Sequence, residues 1–322
     1  MQKKVIYVTG CLGFMGAYFT RKCLDMGWYV RGIDKITYAA SLEALAEFSK
    51  HPNFHFEKLD INNLTRIADC DYFVNYCAES HVDNSIVNSQ DFFDSNIRGV
   101  YTILQLIRAY QSNGYKVPIF YHLSTDETYG DIPHGSHVET DLLKPSNPYS
   151  ATKASADMLI VAWARTFGIR FNIIRPTNNY GIGQYVEKLI PKTCQYINLG
   201  KRVELHNRGT PKRVWLHADD TAEAILAIIR SGNENEIYNV SGNYEDTNIN
   251  VIRKIVNCWL GRPLTQEIDL TLYADLEFSR SGQDVRYSLD DSKIKTIGWR
   301  PRKVFDIELP DIVRYYRNHF TW

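Results

Sequence analysis

The sequence predicts an α/β protein: a doubly wound parallel sheet with a smaller α/β domain interleaved toward the C-terminus. Three observations carry this. Short β-branched and aromatic runs alternate with segments of helical periodicity through the first 176 residues, the rhythm of βαβ units. A glycine-rich turn joins the first such run to the first helix. Apolar residues make up 44% of the 322-residue chain and charged residues 23%, enough apolar surface to build a large core and too much for a disordered chain.

The elements follow in order. Val5 to Thr9 is a strand, and a helix runs from the glycine turn to about Met26. Tyr29 to Ile33, Phe54 to Lys58 and Tyr72 to Tyr76 are the next strands, the first two ending at Asp34 and near Asp60. From Asp91 to Tyr110 apolar residues recur at helical spacing (Ile97, Val100, Ile103, Leu104, Ile107). Val117 to Leu123 is a fifth strand, Ser150 to Thr166 a helix, and Phe171 to Ile174 a sixth strand stopped by Pro176. The rhythm then loosens. Asn178 to Gln184 reads as a turn-rich loop, Glu187 to Leu199 as a helix and Val203 to Leu205 as a short strand. Asp219 to Arg230 is an amphipathic helix, followed by a strand over Ile237 to Val240 and helices over Asn250 to Leu260 and Val304 to Asn318. The expected division is one domain over 1–177 plus about 209–240, and a second over about 178–208 plus 241–322.

Charge and cysteine usage narrow the function. Lys plus Arg and Asp plus Glu are both 37; with no basic excess, nucleic-acid binding is not expected, and any anionic ligand must be met by a local cluster. Six scattered cysteines without a CxxC pair favour neither a disulfide scaffold nor a thiolate metal site, so no metal is expected. The chain enters a strand by Val5 with no signal-peptide core, and its apolar runs fall short of the ~18 residues of a membrane helix. The expectation is a soluble protein of the reducing cytoplasm with no membrane contact.

The glycine turn reads Thr9-Gly10-Cys11-Leu12-Gly13-Phe14-Met15-Gly16. Glycines there let the backbone turn tightly, approach a pyrophosphate and pack helix on sheet, while the helix N-terminus offers N–H groups to the phosphates. Asp34 closes the second strand 18 residues after Gly16. A carboxylate at that place bonds the adenosine ribose hydroxyls and repels a 2′-phosphate, so NAD is favoured over NADP; the adjacent Lys35 argues the other way. Asp60, after the third strand, is a candidate for the adenine amine or an ordinary solvated acid.

Two further clusters carry chemistry. Asn147-Pro148-Tyr149-Ser150-Ala151-Thr152-Lys153 places Tyr149 and Lys153 four apart on one helix face, behind a proline suited to the first helical position and an asparagine cap. An ammonium beside the phenol is expected to lower its pKa and make it a base for a hydroxyl proton. Ser124-Thr125-Asp126-Glu127 lies just past the fifth strand, where parallel sheets bind ligands. Two carboxyls in one site can hold different protonation states, which elimination of water requires and simple oxidation does not.

The glycine spacing and Cys77-Ala78-Glu79-Ser80 resemble the extended short-chain dehydrogenase/reductase superfamily, implying a Rossmann-like sheet. Ser124-Thr125-Asp126-Glu127, Tyr149 with Lys153, Thr177-Asn178-Asn179-Tyr180-Gly181 and Glu187-Lys188-Leu189-Ile190-Pro191 are similar to the nucleotide-sugar 4,6-dehydratases within it. The resemblance implies a tightly bound NAD that is regenerated at each turnover, held by Gly10, Gly13, Phe14, Met15, Gly16, Asp34, Lys35, Asp60, Ile61, Ala78, Tyr149 and Lys153. It implies that Tyr149 takes the sugar 4-hydroxyl proton, Thr125 bonds the 4-keto oxygen, Glu127 removes the C5 proton and Asp126 protonates the departing 6-hydroxyl. Ser80, Asn178, Lys188, Leu189, Arg213, Arg280 and Gln283 are the implied neighbours of a nucleotide-diphosphate sugar. The last two fall in Arg280-Ser281-Gly282-Gln283-Asp284, where the family usually has Arg-Pro-Gly-His-Asp.

At the base site the family's thymidine enzymes carry Pro-x-Tyr and this chain reads Glu204-Leu205-His206. A carboxylate can accept both N1–H and N2–H₂ of guanine, or Glu204 is a solvent-facing strand residue. The chain also resembles dehydratases of legionaminic-type acid routes, a resemblance that implies nucleotide-linked N-acetylglucosamine, so a dTDP-glucose-like substrate and GDP- or UDP-N-acetylglucosamine both stay open. So do two other functions: a nucleotide-sugar 4-epimerase, which leaves Asp126 and Glu127 without work, and a non-catalytic nucleotide-binding protein. The helices around 91–110 and 150–166 match those that pair subunits in the superfamily, and a homodimer is expected; their apolar stripes would also suit a plain core.

Overall fold

The computed structural model describes residues 3–67, 69–278 and 284–319. Seven strands form the main sheet: β1 (Val5–Thr9), β2 (Tyr29–Asp34), β3 (Phe54–Lys58), β4 (Tyr72–Asn75), β5 (Ile119–Leu123), β6 (Phe171–Pro176) and a late strand, Glu236–Val240. They lie in the order late strand, β6, β5, β4, β1, β2, β3, every neighbour parallel. The order reverses between β1 and β4, and the crevice that a parallel sheet leaves at such a reversal is where ligands bind.

Alternation along β1 shows how the sheet is covered. Ile6 and Val8 point to one face and Tyr7 to the other. The first face packs on α1 (Phe14–Asp25), through Phe19 and Cys23, and on a helix over Ala218–Ser231, through Ile225 and Ile228. The second packs on helices over Gly99–Ser112 and Pro148–Phe167, through Ile103, Ile107 and Ile160. All these side chains are fully buried, and cutting one such isoleucine to alanine costs about 2–5 kcal/mol. The expected helix over 91–110 is present but not uniform: residues Phe93–Arg98 form a wide π turn that sinks Ser95 and Asn96 inward.

A second group of elements packs separately. Helices over Leu189–Asn198, Asn248–Trp259 and Phe305–Asn318 share a core of Ile190, Cys194, Val251, Ile255, Leu309 and Val313. Beside them Asn178–Tyr180 and Tyr244–Thr247 flank Lys212–His217 in a three-stranded sheet. The turn-rich reading of 178–184 is corrected by this pairing: only the Lys212–His217 strand, far off in sequence, supplies the hydrogen bonds that make Asn178–Tyr180 a strand. Ile294 and Trp299 return to the first face of the main sheet. Among the described residues, no helix is long and apolar enough to cross a membrane.

Candidate active site

One cleft runs along the carboxyl ends of β1, β2, β4, β5 and β6, from Gly10 and Asp34 through Ala78 and Ser80 to Thr125, Tyr149 and Lys188. Its two ends differ in chemistry.

At the first end, α1 starts behind Gly13 with no side chain capping its N–H groups, leaving donors for an anion. A Cβ at Gly13 would meet only the Gly10 carbonyl, at 3.3 Å, whereas one at Gly16 would lie 2.0 Å from that oxygen. Gly13 is therefore open toward the cleft and Gly16 is required by the turn itself. Asp34 is buried; its carboxylate accepts N–H bonds from Leu12 (3.1 Å) and Ile36 (2.8 Å). Burial raises its pKa and these two bonds oppose the rise. Each oxygen keeps a lone pair for a further donor. Lys35 turns to the Ser95 hydroxyl (3.1 Å) and Glu79 (3.5 Å). Phe14, Met15, Asp60, Ile61 and Ala78 line the same end, Asp60 also capping the turn at Asn62. These residues fit a dinucleotide.

At the other end the chain leaves β5 into a tight turn, Asp126–Tyr129, whose first N–H groups are capped by the Thr125 hydroxyl through Glu127 (3.3 Å). The turn points both acids inward. Asp126 is buried; Oδ1 accepts from Thr125 Oγ1 (3.1 Å), while Oδ2 has no hydrogen-bond partner among the described residues. Burial and the neighbouring charge of Glu127 push its pKa up to about 7. Glu127 is also raised by burial, but Arg213, a 3.4 Å bond from Asn147 and Lys188 work against the rise. Arg213 itself is buried, stacked on Tyr287 with its Cζ 4.4 Å from the ring centroid.

The helix over Pro148–Phe167 begins as expected, Asn147 and Ser150 closing a capping box ahead of Pro148. Tyr149 and Lys153 are both buried on its cleft side. The expected lowering of the phenol is not found: burial, then the charge of Glu127, raises Tyr149, with hydrogen bonding to Thr125 opposing. Lys153 instead donates to the Leu123 carbonyl (2.6 Å) and meets His122 Nε2 (3.2 Å); burial brings it down to about 8.

The remaining predicted positions separate. Lys188 bonds the Ser80 carbonyl (2.9 Å) and lines the cleft, as does Asn178, whose Oδ1 is buried without a hydrogen-bond partner among the described residues. Leu189 is half-buried and packs against the core of the second group. Glu204 is exposed and paired with Lys192 (3.2 Å), and the His206 ring packs on Phe278. Arg280 and Gln283 lie outside the described residues. Sequence reading missed Asn96, which accepts from the Glu79 N–H (2.9 Å) and donates to Thr152 (2.9 Å), tying the loop after β4 to the helix over Pro148–Phe167. It also missed His122 and Asp157, buried behind the cleft. Neither stands in a motif; each is one apolar-strand or helix position that the fold turns inward.

Residues 7–311 match the family described as GDP-mannose 4,6 dehydratase, and the chain belongs to this family of nucleotide-sugar dehydratases. It is 37% identical to the dTDP-glucose 4,6-dehydratase of Haemophilus influenzae, covering 97% of both chains. Among solved structures, dTDP-glucose 4,6-dehydratase from Streptomyces venezuelae with NAD bound superposes with a TM-score of 0.87 at 34% identity over 97% of both chains. UDP-glucuronic acid 4-epimerase from Bacillus cereus shares the fold, with a TM-score of 0.86 at 22% identity over 97% of this chain and 99% of that one.

Proposed function

We propose that this protein is an NAD-dependent hydro-lyase converting a nucleotide-diphosphohexose to its 4-keto-6-deoxy derivative. The observation that carries the reading is the Thr125-capped turn that brings two carboxyls to the cleft, Asp126 buried and raised to about 7, Glu127 half-buried and raised by burial against the opposing pull of Arg213, Asn147 and Lys188. At neutral pH such a pair supplies one acid and one base.

NAD, which Gly13, Asp34 and the other residues at the first end of the cleft would hold, would supply a hydride acceptor for C4 and a hydride donor for C6. Tyr149 accepts the proton of the 4-hydroxyl as the C4–H bond breaks. Thr125 donates to the new carbonyl oxygen, which acidifies C5–H. Glu127 takes the C5 proton and Asp126 gives its proton to the 6-hydroxyl, so the C6–O bond breaks and water leaves. Glu127 then returns the proton to C5. The proton gained at Tyr149 matches the one lost at Asp126, and both residues reset through solvent. Lys188 and Arg213 supply cations for the sugar diphosphate.

Within this reading the substrate is a dTDP-glucose-like sugar. The Haemophilus and Streptomyces relatives carry that activity in their names, and the pairing of Glu204 with Lys192 leaves its carboxylate less available to guanine. The division into an NAD-binding unit and a sugar-nucleotide-binding unit follows the separate cores. A homodimer through the helices around 82–112 and 148–167 is supported by outward apolar side chains there: Val87, Phe93, Tyr101 and Met158. Six free cysteines suit a reducing cytoplasm.

The purified protein, incubated with a panel of dTDP-, UDP- and GDP-hexoses and their 2-acetamido forms, should release a product lighter by one water from dTDP-glucose. An isomer of unchanged mass would replace the reading with the 4-epimerase, and no product with the non-catalytic protein; turnover of a GDP sugar alone would return the base assignment to Glu204, and of a UDP-N-acetyl sugar alone would replace the dTDP-glucose-like substrate.

A further inference from the structure

Behind the cleft a buried polar chain runs from β1 to the catalytic helix. Asn75 Oδ1 accepts from the Thr9 hydroxyl (2.6 Å) and from the Cys77 N–H (3.2 Å). A backbone N–H can only donate, so the amide orientation is settled and Nδ2, a donor, faces His122 Nδ1 at 3.2 Å. Nδ1 must then be an acceptor. His122 is fully buried and held well below its ordinary pKa, by burial first and also by the charge of Arg175, so the ring is neutral. Its one proton therefore sits on Nε2, 3.2 Å from Lys153 Nζ. An ammonium there would set donor against donor.

We propose that His122 is a positioning residue for Lys153: locked by Asn75 in the Nε2–H tautomer, it donates to the lysine nitrogen and favours the neutral amine in the ligand-free cleft. Asp157, Cys77 and Arg175 also act on this pair. Asp157, on the same helix, favours the ammonium; its Oδ2 is taken by Ser124 (2.9 Å) and Arg175 (2.9 Å), and Oδ1 lies 4.0 Å from His122 Nε2. Cys77, after β4, favours the ammonium as well, and Arg175, on β6, disfavours a charged His122. Burial has already brought Lys153 to about 8, a range where one facing N–H decides its charge near neutral pH. Tyr149 lies one turn earlier on the helix, so this charge bears on the proton-accepting phenol of the function proposed above.

The test is magnetic resonance on the whole ligand-free protein. With [¹⁵N]histidine, the signals that vanish in His122→Gln should show the Nε2–H tautomer at neutral pH; an Nδ1–H tautomer or an imidazolium overturns the proposal. With [¹³Cε]lysine, the Lys153 signal, identified by its loss in Lys153→Arg, should titrate at higher pH in His122→Phe by about one unit, a tenfold change in the amine-to-ammonium ratio. An unmoved titration overturns the proposal. If His122→Phe does not fold, Asn75→Asp replaces it: the carboxylate accepts from Nδ1–H, and the tautomer and the lysine titration should shift together, a flipped ring with an unmoved lysine again overturning the proposal. Neither signal needs turnover, so a failed dehydratase assay would leave this result standing.

Discussion

Asp126 and Glu127 are chain neighbours in one capped turn, and the charge of Glu127 is, after burial, the main cause that raises Asp126 to about 7. Adjacent acids usually diverge to solvent. Here the Thr125 cap turns both toward the cleft, Asp126 buried and Glu127 half-buried beside Arg213 and Asn147, so the two carboxyls sit in different surroundings.

Replacing Glu127 by Gln keeps the shape of the turn and removes the base for C5–H. Dehydrated product should fall by at least about 10²-fold, and in heavy water the sugar should no longer take up deuterium at C5. Mass spectrometry of the product reads both, and normal 6-deoxy product from the variant would remove Glu127 from this role.

Asp126 gives a pH signature with a definite sign. As the acid it must be protonated, so kcat/KM should decline as pH rises through about 7. Its folded pKa lies above the ordinary aspartate value of about 3.9, so its favourable contribution to stability is present below that value and is lost as pH rises through about 7. Asp126→Asn cannot ionise. Its melting temperature should gain on the wild type as pH increases from acid to mildly basic, while dehydration is lost; a constant difference across that range would contradict the burial argument.

The two glycines of the turn should part company. Gly16→Ala forces a Cβ against the Gly10 carbonyl and should lower the melting temperature by the equivalent of about 1–3 kcal/mol. Gly13→Ala meets nothing so close and should melt like the wild type while binding NAD more weakly. Melting curves with and without NAD separate the two effects.

Met158 and Tyr101 stand on the outer face of the helices assigned to the dimer. A charge at Met158, as Met158→Glu, should turn a dimer into a monomer in sedimentation at micromolar concentration. A wild-type monomer at the same concentration would dispose of the assignment.

The parallel sheet was legible because its signals are local. Strands such as Val5–Thr9 and Tyr29–Asp34 are apolar runs bounded by breakers, and the acids and glycines of the cleft sit where those runs end. The motif spacing marked Asp126, Glu127, Tyr149 and Lys153 by the same logic, since each follows a strand or opens a helix whose limits the chain itself declares. Other features had no local signal. Asn178–Tyr180 is a strand only because Lys212–His217 pairs with it. The placement of Glu204 against Lys192, and of Arg213 near both acids, depends on how the later elements fold back. Protonation is decided later still: the phenol of Tyr149 is raised rather than lowered, and Lys153 turns to His122, because burial and neighbours from β5 and the catalytic turn outweigh the i,i+4 partner. Sequence spacing states which groups share a helix face. The cost of removing charge from water, and the partner that offsets it, exist only once the tertiary structure has closed around them.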